Sequence, residues 1–375
     1  MKYYIIAGEL SGDIHTSLII RHIKSKDKQA VFRCWGGDNM KKEGGELVRH
    51  IKDLAFMGFF EVLLHLKTVL NNLKFCKKDI IRFNPDALIL TDYPGFNLRI
   101  AKFAYKHNYK VYYYVSPQVW AWKKNRIKTI KKVITKLFVI LPFEKEFYKQ
   151  HNVDVMYYGN PLLDEIAEFR QRKDNRDKFI EDNELQDKPV IALLPGSRKQ
   201  EIDKILPLQM KIIEKYEDEF NFIIAGVTAQ REEVYKKHID KTKVKIIFDN
   251  TYNILNIAKA AVVASGTATL ETALFNVPQV VSYRSSWLSY IIATYIVKIK
   301  YVSLVNIIMK KKVVTELLQY DYNEKNILTE FEKIVYDRDY IKSMKEDYRE
   351  LEKLLGDKGS SERMAEYIVT DLIKK

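Results

Sequence analysis

Ala260-Ala-Val-Val-Ala264 runs without a break into Ser265-Gly-Thr-Ala-Thr-Leu-Glu271 and then into an apolar helical pattern, giving the order strand, small-residue turn, helix start. Such a junction is a seat for phosphate. Ser265, Gly266, Thr267 and Ala268 keep side-chain bulk low where the first N–H groups of a helix lack backbone partners and, with the helix dipole, attract an anion. Glu271 stands about one turn in. It is badly placed for phosphate but suited to accept hydrogen bonds from the two hydroxyls of a ribose, so the pattern suggests a nucleoside diphosphate. An ordinary Ser/Thr-capped helix with an early Glu has the same local sequence.

Val190-Ile-Ala-Leu-Leu194 is a second buried-strand run, and it ends in Pro195-Gly196-Ser197-Arg198. The Arg198 guanidinium can fork across two phosphate oxygens, and Gly196 would let the backbone approach a ligand closely. Pro-Gly-Ser-Arg is also a common surface turn. Two phosphate-type loops at strand ends fit one crevice of a doubly wound sheet, because such sheets bind ligands at the carboxyl ends of their strands.

Outward from these loops the chain alternates short β-rich runs with helical stretches, the mark of parallel α/β layers. Expected strands in the first half are Tyr3–Ala7, Ala30–Trp35, Asp86–Thr91, Val111–Val115, Leu137–Leu141 and Val155–Tyr158. In the second half they are Val190–Leu194, Asn221–Ala225, Val244–Phe248, Ala260–Ala264 and Gln279–Ser282. A chain of 375 residues is too long for one typical core and comfortable for two α/β domains. The charged, strand-poor segment from Asp164 to Lys188 marks the boundary. The expected division is a first domain at 1–165, a second at 166–350, and a terminal helix at 351–375 that packs back on the first domain or on a partner chain.

Only Cys34 and Cys76 are present, which excludes a disulfide framework and suits a reducing compartment. The opening Met1-Lys-Tyr-Tyr-Ile-Ile-Ala-Gly-Glu9 has too short an apolar run for a signal peptide and reads as a first strand, so a cytoplasmic protein is expected. The net charge is +14, and Lys123, Lys124, Arg126, Lys128, Lys131, Lys132 and Lys136 cluster without an acid. Nucleic acid or an anionic membrane would be attracted, but no nucleic-acid module is present. Ala55 to Leu70 is apolar over more than one helical face and too short to span a bilayer. It reads as a core helix, or as a face for acyl chains or the membrane interface.

The first half carries its own chemistry. Thr91-Asp-Tyr-Pro-Gly-Phe-Asn97 puts Asp92 at the carboxyl end of a strand, where a partly desolvated carboxylate can act as general base on an attacking hydroxyl. The competing reading is an Asx turn or helix cap. The loop Gly8-Glu-Leu-Ser-Gly-Asp13 is a strand-to-helix turn without dinucleotide-type glycine spacing. The acids Glu9 and Asp13 would repel a pyrophosphate, so a hydroxylated ligand fits it better.

Together these loops resemble the lipid-A-disaccharide synthases, a family of glycosyltransferases. The resemblance runs nearly end to end. It rests on Gly8-Glu-Leu-Ser-Gly-Asp13, Phe56-Met-Gly-Phe-Phe-Glu-Val62, Asp92-Tyr-Pro-Gly-Phe-Asn97, Tyr114-Val-Ser-Pro-Gln-Val-Trp-Ala-Trp122, Leu141-Pro-Phe-Glu-Lys145, Leu194-Pro-Gly-Ser-Arg198 with Glu201-Ile202, Ser265 to Glu271, and Tyr301-Val-Ser-Leu304. The segment with Trp120 and Trp122 is the most distinctive.

The resemblance implies an α/β fold of two facing Rossmann-like domains (the GT-B architecture) with C-terminal helices. The implied reaction carries 2,3-diacylglucosamine from its UDP donor to the 6-hydroxyl of 2,3-diacylglucosamine 1-phosphate, with inversion and release of UDP. Asp92 matches the family's proposed base. Gly196, Ser197, Arg198, Ser265, Gly266, Thr267 and Ala268 match its diphosphate loops, with Arg198 also acting in catalysis, and Glu271 matches its ribose contact. Asn306, Glu316 and Gln319 fall in a matching stretch that would close over the donor. Glu9, Ser11, Gly12, Asp13, Trp120 and Trp122 fall to the acceptor side. Phe56, Met57, Phe59, Phe60, Leu63 and Leu64 become candidates for acyl or membrane contact.

A protein handling acylated substrates would sit peripherally on the inner face of the cytoplasmic membrane, with no nucleic-acid partner and with a homodimer left open. Neither cofactor nor metal is implied: Asp337-Arg-Asp339 has the form of a metal motif but precedes a helical pattern and reads as a cap, and the seven His show no ligand spacing. Two positions depart from the family pattern. Val305 stands where Pro is common, which loosens that loop, and Asn160 stands where many members carry His. Rival readings are another UDP-sugar enzyme such as an epimerase, a nucleotide-linked oxidoreductase, which lacks its glycine fingerprint, and a non-enzymatic anion-binding scaffold.

Overall fold

The computed structural model describes residues 1–53, 66–120, 125–172, 175–239, 244–284 and 300–374. It divides into two compact units, Met1–Glu165 with Leu355–Lys375, and Ile166–Leu354.

The first unit holds β1 (Lys2–Ala7), β2 (Val31–Gly36), β3 (Glu46–His50), β4 (Ala87–Thr91), β5 (Lys110–Tyr114), β6 (Lys136–Val139) and β7 (Val155–Tyr157) in the order β3-β2-β1-β4-β5-β6-β7. Its helices are α1 (Leu10–Lys26), α2 (Asp38–Lys42), α3 (Leu66–Phe83), α4 (Pro94–Lys106), α5 (Arg126–Val133), α6 (Pro142–Lys149) and the start of α7 (Leu162–Gln171).

The second unit holds β8 (Val190–Leu194), β9 (Asn221–Gly226), β10 (Val244–Phe248), β11 (Ala258–Ala264), β12 (Gln279–Tyr283) and β13 (Thr315–Leu318) in the order β10-β9-β8-β11-β12-β13. With them are α8 (Arg176–Asp182), α9 (Lys199–Tyr216), α10 (Glu233–Lys236), α11 (Thr251–Ile257), α12 (Thr267–Leu274), α13 (Leu304–Met309), α14 (Glu324–Tyr336) and α15 (Arg338–Leu354). Every pairing in both sheets is parallel.

Strands of such sheets are covered on both faces, which is why they read as unbroken apolar runs. All five residues of β4 and of β8 are buried. The edge strands β3 and β13 differ, and apolar runs do not reveal them. No residue of β3 is fully buried, and β13 alternates buried and half-buried positions.

The chain re-enters the first unit at Leu355 and ends in α16 (Ser360–Ile373). Met364, Ala365, Ile368, Val369 and Leu372 make one helical face, and it joins the core of Tyr3, Ile5, Ile19, Ile20 and Ile23. Polar contacts fix both ends of this helix. Asp164 accepts from the Gly359 N–H at 2.5 Å, the Ser360 hydroxyl at 2.9 Å and the Ser361 N–H at 3.0 Å, capping α16 from another segment. Near the other end Asp371 accepts from Lys110 Nζ at 2.9 Å and from the Tyr112 hydroxyl at 2.5 Å.

Asp164→Ala removes three hydrogen bonds to a carboxylate and should lower stability by about 2 kcal/mol. A urea titration followed by circular dichroism measures it; an unchanged midpoint would show that α16 docks through its apolar face alone.

Candidate active site

In the first sheet the strand order reverses between β1 and β4: the chain steps outward from β1 to β2 and β3, then returns to β4 and steps the other way. Crossovers on either side of such a point leave a crevice at the carboxyl ends of its two strands. The loops there are Gly8–Glu9 and Asp92–Tyr93, so the first half's two candidate segments are brought together. Gly8 is required for their contact. A Cβ there would lie 2.4 Å from Cγ of Tyr93, so the Tyr93 ring rests directly on the Gly8 backbone.

Asp92 and Tyr93 both hold left-handed backbone, with φ of +44° and +47°. The buried Asn97 side chain supports this turn, donating from Nδ2 to the carbonyl of Thr91 at 3.1 Å and of Asp92 at 2.8 Å, while the Tyr113 hydroxyl donates to the Asp92 carbonyl at 2.5 Å. The N-cap position of α4 belongs to Tyr93, whose side chain makes no cap bond. Arg126 at the start of α5 is half-buried, and Asp92 acts on its charge. Sequence reading placed Arg126 only within a basic cluster; its turn toward Asp92 depends on tertiary packing.

Of the other acceptor-side candidates, Glu9, Ser11 and Gly12 lie at or just beyond the N-cap of α1. Asp13 has a different role from the ligand contact expected. It is fully buried, with Oδ1 accepting from the N–H groups of Gly37 at 2.6 Å and Met40 at 3.2 Å, and Oδ2 from the N–H and Nδ2 of Asn39 at 3.1 and 2.8 Å. Its carboxylate is consumed in folding the β2–α2 junction.

Trp120 is half-buried and edge-on to Phe143, ring centroids 5.1 Å apart. Before it, Val115 holds φ +57°, a true outlier for a β-branched residue that costs on the order of 1–3 kcal/mol. Glu144 of α6 lies beneath this loop. Its carboxylate accepts from the Ser116 hydroxyl at 2.5 Å and from the N–H groups of Leu141 at 3.0 Å and Ile140 at 3.2 Å. Burial pushes its titration up to about 7, against the opposing pull of these donors. Trp122 and the acyl-contact candidates Phe56, Met57, Phe59, Phe60, Leu63 and Leu64 lie outside the described residues.

The second sheet reverses between β8 and β11, which pair directly. The Gly196–Arg198 and Ser265–Thr267 loops therefore leave neighbouring strand ends. Gly266, with φ +154°, precedes α12, no side chain caps that helix, and a Cβ on Gly266 would meet nothing within 4 Å. Thr267 and Ala268 open α12, and Glu271 lies half-buried one turn along.

The Gly196 loop works otherwise than expected. Gly196 has φ +109°, and a Cβ would fall 2.7 Å from Cβ of Glu201. Glu201 Oε2 already accepts from the N–H groups of Ser197 at 3.1 Å and Arg198 at 3.3 Å. The glycine makes room for Glu201 rather than for a ligand, and Ser197 offers no unused amide. What this loop extends is the Arg198 guanidinium, 54% exposed, with Nη1 3.4 Å from Glu201 Oε1.

Three more expected donor contacts are structural. Ser265 donates its hydroxyl to the Val302 carbonyl at 2.9 Å. Asn306 is fully buried: Nδ2 donates to the Val314 carbonyl and to Glu316 Oε1, both at 2.9 Å, and Oδ1 accepts from the N–H groups of Val313 at 2.7 Å and Val314 at 3.0 Å. Glu316 also accepts from the N–H groups of Val302 at 3.0 Å and Ser303 at 2.9 Å. This network holds residues 302–306 against β13, and Val305, fully buried in α13, leaves that helix intact. Gln319, with φ +50°, ends β13 and donates its N–H to the Tyr283 carbonyl at 2.9 Å.

The other departure, Asn160, is buried as well. It donates to the Ile140 carbonyl at 3.0 Å and accepts from the Leu162 N–H at 3.0 Å, starting α7. Asp337 accepts from the Tyr340 N–H at 3.0 Å, a helix cap. Among the described residues no group of three or more His, Cys, Asp or Glu is placed to share a metal ion.

Solved structures share this architecture. A UDP-GlcNAc 2-epimerase from Neisseria meningitidis, bound to UDP-GlcNAc, superposes with a TM-score of 0.66 at 13% identity over 100% of both chains. A glycosyltransferase from Rickettsia africae ESF-5 does so with a TM-score of 0.56 at 14% identity, over 100% of this chain and 99% of that one. The fold is thus of the GT-B type, with two Rossmann-like α/β domains. The model of the lipid-A-disaccharide synthetase family matches residues 3–371, and the lipid-A-disaccharide synthase of Syntrophus aciditrophicus is 38% identical over 99% of this chain and 97% of its own length. The chain belongs to the lipid-A-disaccharide synthase family, glycosyltransferases of lipid A biosynthesis.

Gly8→Ala tests the packing of the first unit's two loops. Tyr93 must leave its place, and activity should fall roughly ten- to hundredfold, while UDP affinity measured by calorimetry stays unchanged. Full activity in this variant would show that the Gly8–Tyr93 contact does not shape the site.

Proposed function

We propose that the chain transfers 2,3-diacylglucosamine from UDP-2,3-diacylglucosamine to the 6-hydroxyl of 2,3-diacylglucosamine 1-phosphate, forming the β-1,6 disaccharide 1-phosphate and UDP. One observation carries the reading. In each sheet, the loops matching the family's motifs leave the two strands at which strand order reverses.

The second unit is the donor side. Arg198 and the first amides of α12 take the charge that develops on the departing diphosphate, and Glu271 takes the ribose hydroxyls. The first unit is the acceptor side, where Asp92 accepts the proton of the 6-hydroxyl as the new C–O bond forms. A single in-line displacement inverts the anomeric centre and needs no covalent intermediate. Protein cations and the helix end replace a divalent ion, so no metal or cofactor takes part.

The substrates' acyl chains call for a membrane surface, and the reading places the protein on the inner face of the cytoplasmic membrane. The net charge of +14 supports it, as does α5, which turns Ile127, Ile130 and Val133 inward and exposes Lys128, Lys131 and Lys132. No helix among the described residues is long and apolar enough to cross a membrane.

Purified protein given both substrates in detergent should release UDP only when the acceptor is present and should yield a disaccharide. Asp92→Asn should lower kcat by about 10²- to 10⁴-fold with UDP binding retained; intact turnover would remove Asp92 as the base. Binding to anionic vesicles should weaken steeply with salt. Equal binding to neutral vesicles at high salt would count against the basic face.

A further inference from the structure

Glu144 is a buried carboxylate to which the reaction described above gives no task. Its hydrogen-bond partners among the described residues belong either to the N-terminus of α6 or to the loop leading to Trp120. From α6 come the Ile140 and Leu141 amides, and from the loop comes the Ser116 hydroxyl. The Trp120 indole N–H is buried without a hydrogen-bond partner and lies near enough to the carboxylate to favour its ionised form. The other titratable groups around it are the hydroxyls of Tyr148 on α6 and Tyr157 on β7. Among the described residues no cation is one of the principal influences on it. The loop it underpins is strained at Val115 and turns tightly at Pro117, whose carbonyl accepts from the Val119 N–H at 2.5 Å.

We propose that Glu144 is a positioning residue whose ionised carboxylate holds the Ser116–Trp120 loop in the shape that receives the acceptor sugar. The proposal rests on the assignment of this loop to the acceptor side. The chemistry is a reversal of hydrogen-bond sense. While Glu144 is ionised, the Ser116 hydroxyl must donate to it. Once Glu144 is protonated, its own O–H seeks an acceptor and the Ser116 oxygen becomes one. The Ser116 hydroxyl proton then turns to the Pro117 carbonyl, already 3.5 Å away. The indole loses its attraction to the carboxylate in the same event. Because burial places this titration near 7, the loop is held above neutral pH and released below it.

The test uses the full-length protein. Tryptophan fluorescence is followed from pH 5.5 to 8.5 in the wild type and in Trp120→Phe, Glu144→Gln and Ser116→Ala. A transition with a midpoint of about 7 is expected in the wild type and lost in both Trp120→Phe and Glu144→Gln. In Ser116→Ala the midpoint should move up, because the ionised form has lost a donor. In the acceptor-dependent assay at pH 8, Glu144→Gln should raise the acceptor KM about tenfold, with kcat and UDP affinity near those of the wild type. A transition that persists in Glu144→Gln, or that is absent from the wild type, overturns the coupling. A vanished transition with an unchanged acceptor KM overturns the role in acceptor binding. Wild-type protein that shows the transition but no acceptor-dependent UDP release overturns the acceptor assignment and leaves the coupling standing.

Discussion

Parallel pairing throughout both sheets is the constraint from which the rest of each unit follows. A parallel strand cannot return by a hairpin; each connection must cross a face of the sheet, and it does so with one hand. A chain that starts at β1, winds outward through β2 and β3, then resumes at β4 and winds outward through β7 lays its crossovers on opposite faces. The crossovers diverge at β1 and β4, leaving a crevice at the carboxyl ends of those strands, and β8 and β11 repeat the arrangement in the second unit. Asp92 and Arg198 lie in loops at those ends, so their placement is a consequence of chain direction before it is one of side-chain chemistry.

Having loops at the right place does not by itself give them a shape, and most of the polar groups near these strand ends are spent on that task. Asp13 gathers four donors from the β2–α2 junction, Asn97 holds the carbonyls of the Asp92 turn, Glu201 closes the Gly196 loop, and Asn306 with Glu316 pins residues 302–306. A buried polar group left unpaired would cost about 1–3 kcal/mol, so each of these must find partners inside the protein. The groups that the proposed reaction assigns to substrate are few: the Arg198 guanidinium, the first amides of α12, Glu271, and the carboxylate of Asp92, whose charge acts on Arg126. Economy of this kind is what a preorganised site requires, since a group that shapes a loop cannot also turn toward a ligand.

The same distinction explains what could be read from the chain. The central strands were legible because parallel strands buried on both faces must be apolar throughout, as Ala87–Thr91 and Val190–Leu194 are. β3 and β13 were not: each lies at a sheet edge and carries charge within its run, Glu46 and Arg49 in β3 and Glu316 in β13, whereas the edge strands β7 and β10 keep enough apolar residues to be read. The strand-to-helix loops were legible as loops, and their glycines as glycines. The reason for each glycine was not: Gly196 serves Glu201, and Gly8 serves Tyr93, and neither neighbour is implied by local spacing. Asp13, Ser265 and Asn306 carry the residue types of ligand contacts, and only tertiary structure shows their hydrogen bonds already taken. Glu144 and Arg126 stood inside recognisable segments, yet what marks them out is burial and position, which sequence does not display.

Glu144 shows what shaping a loop can cost. Its carboxyl titrates at about 7 in the folded protein against an ordinary value of 4.5, so the folded state binds this proton more tightly than the unfolded chain does. The stability this contributes is fully present below the unfolded value and is lost as pH rises through about 7, amounting to about 3 kcal/mol for a shift of this size. Ionised Glu144 is therefore the less stable form of the fold, and it supports a loop that already contains left-handed Val115. An apolar residue at this position would carry no such titration, but it would leave the Ser116 hydroxyl and the Ile140 and Leu141 N–H groups without their acceptor. An ionisable group under a strained loop works against the stability of the unit, and its compensation must be sought in the geometry it imposes on Ser116 and Trp120.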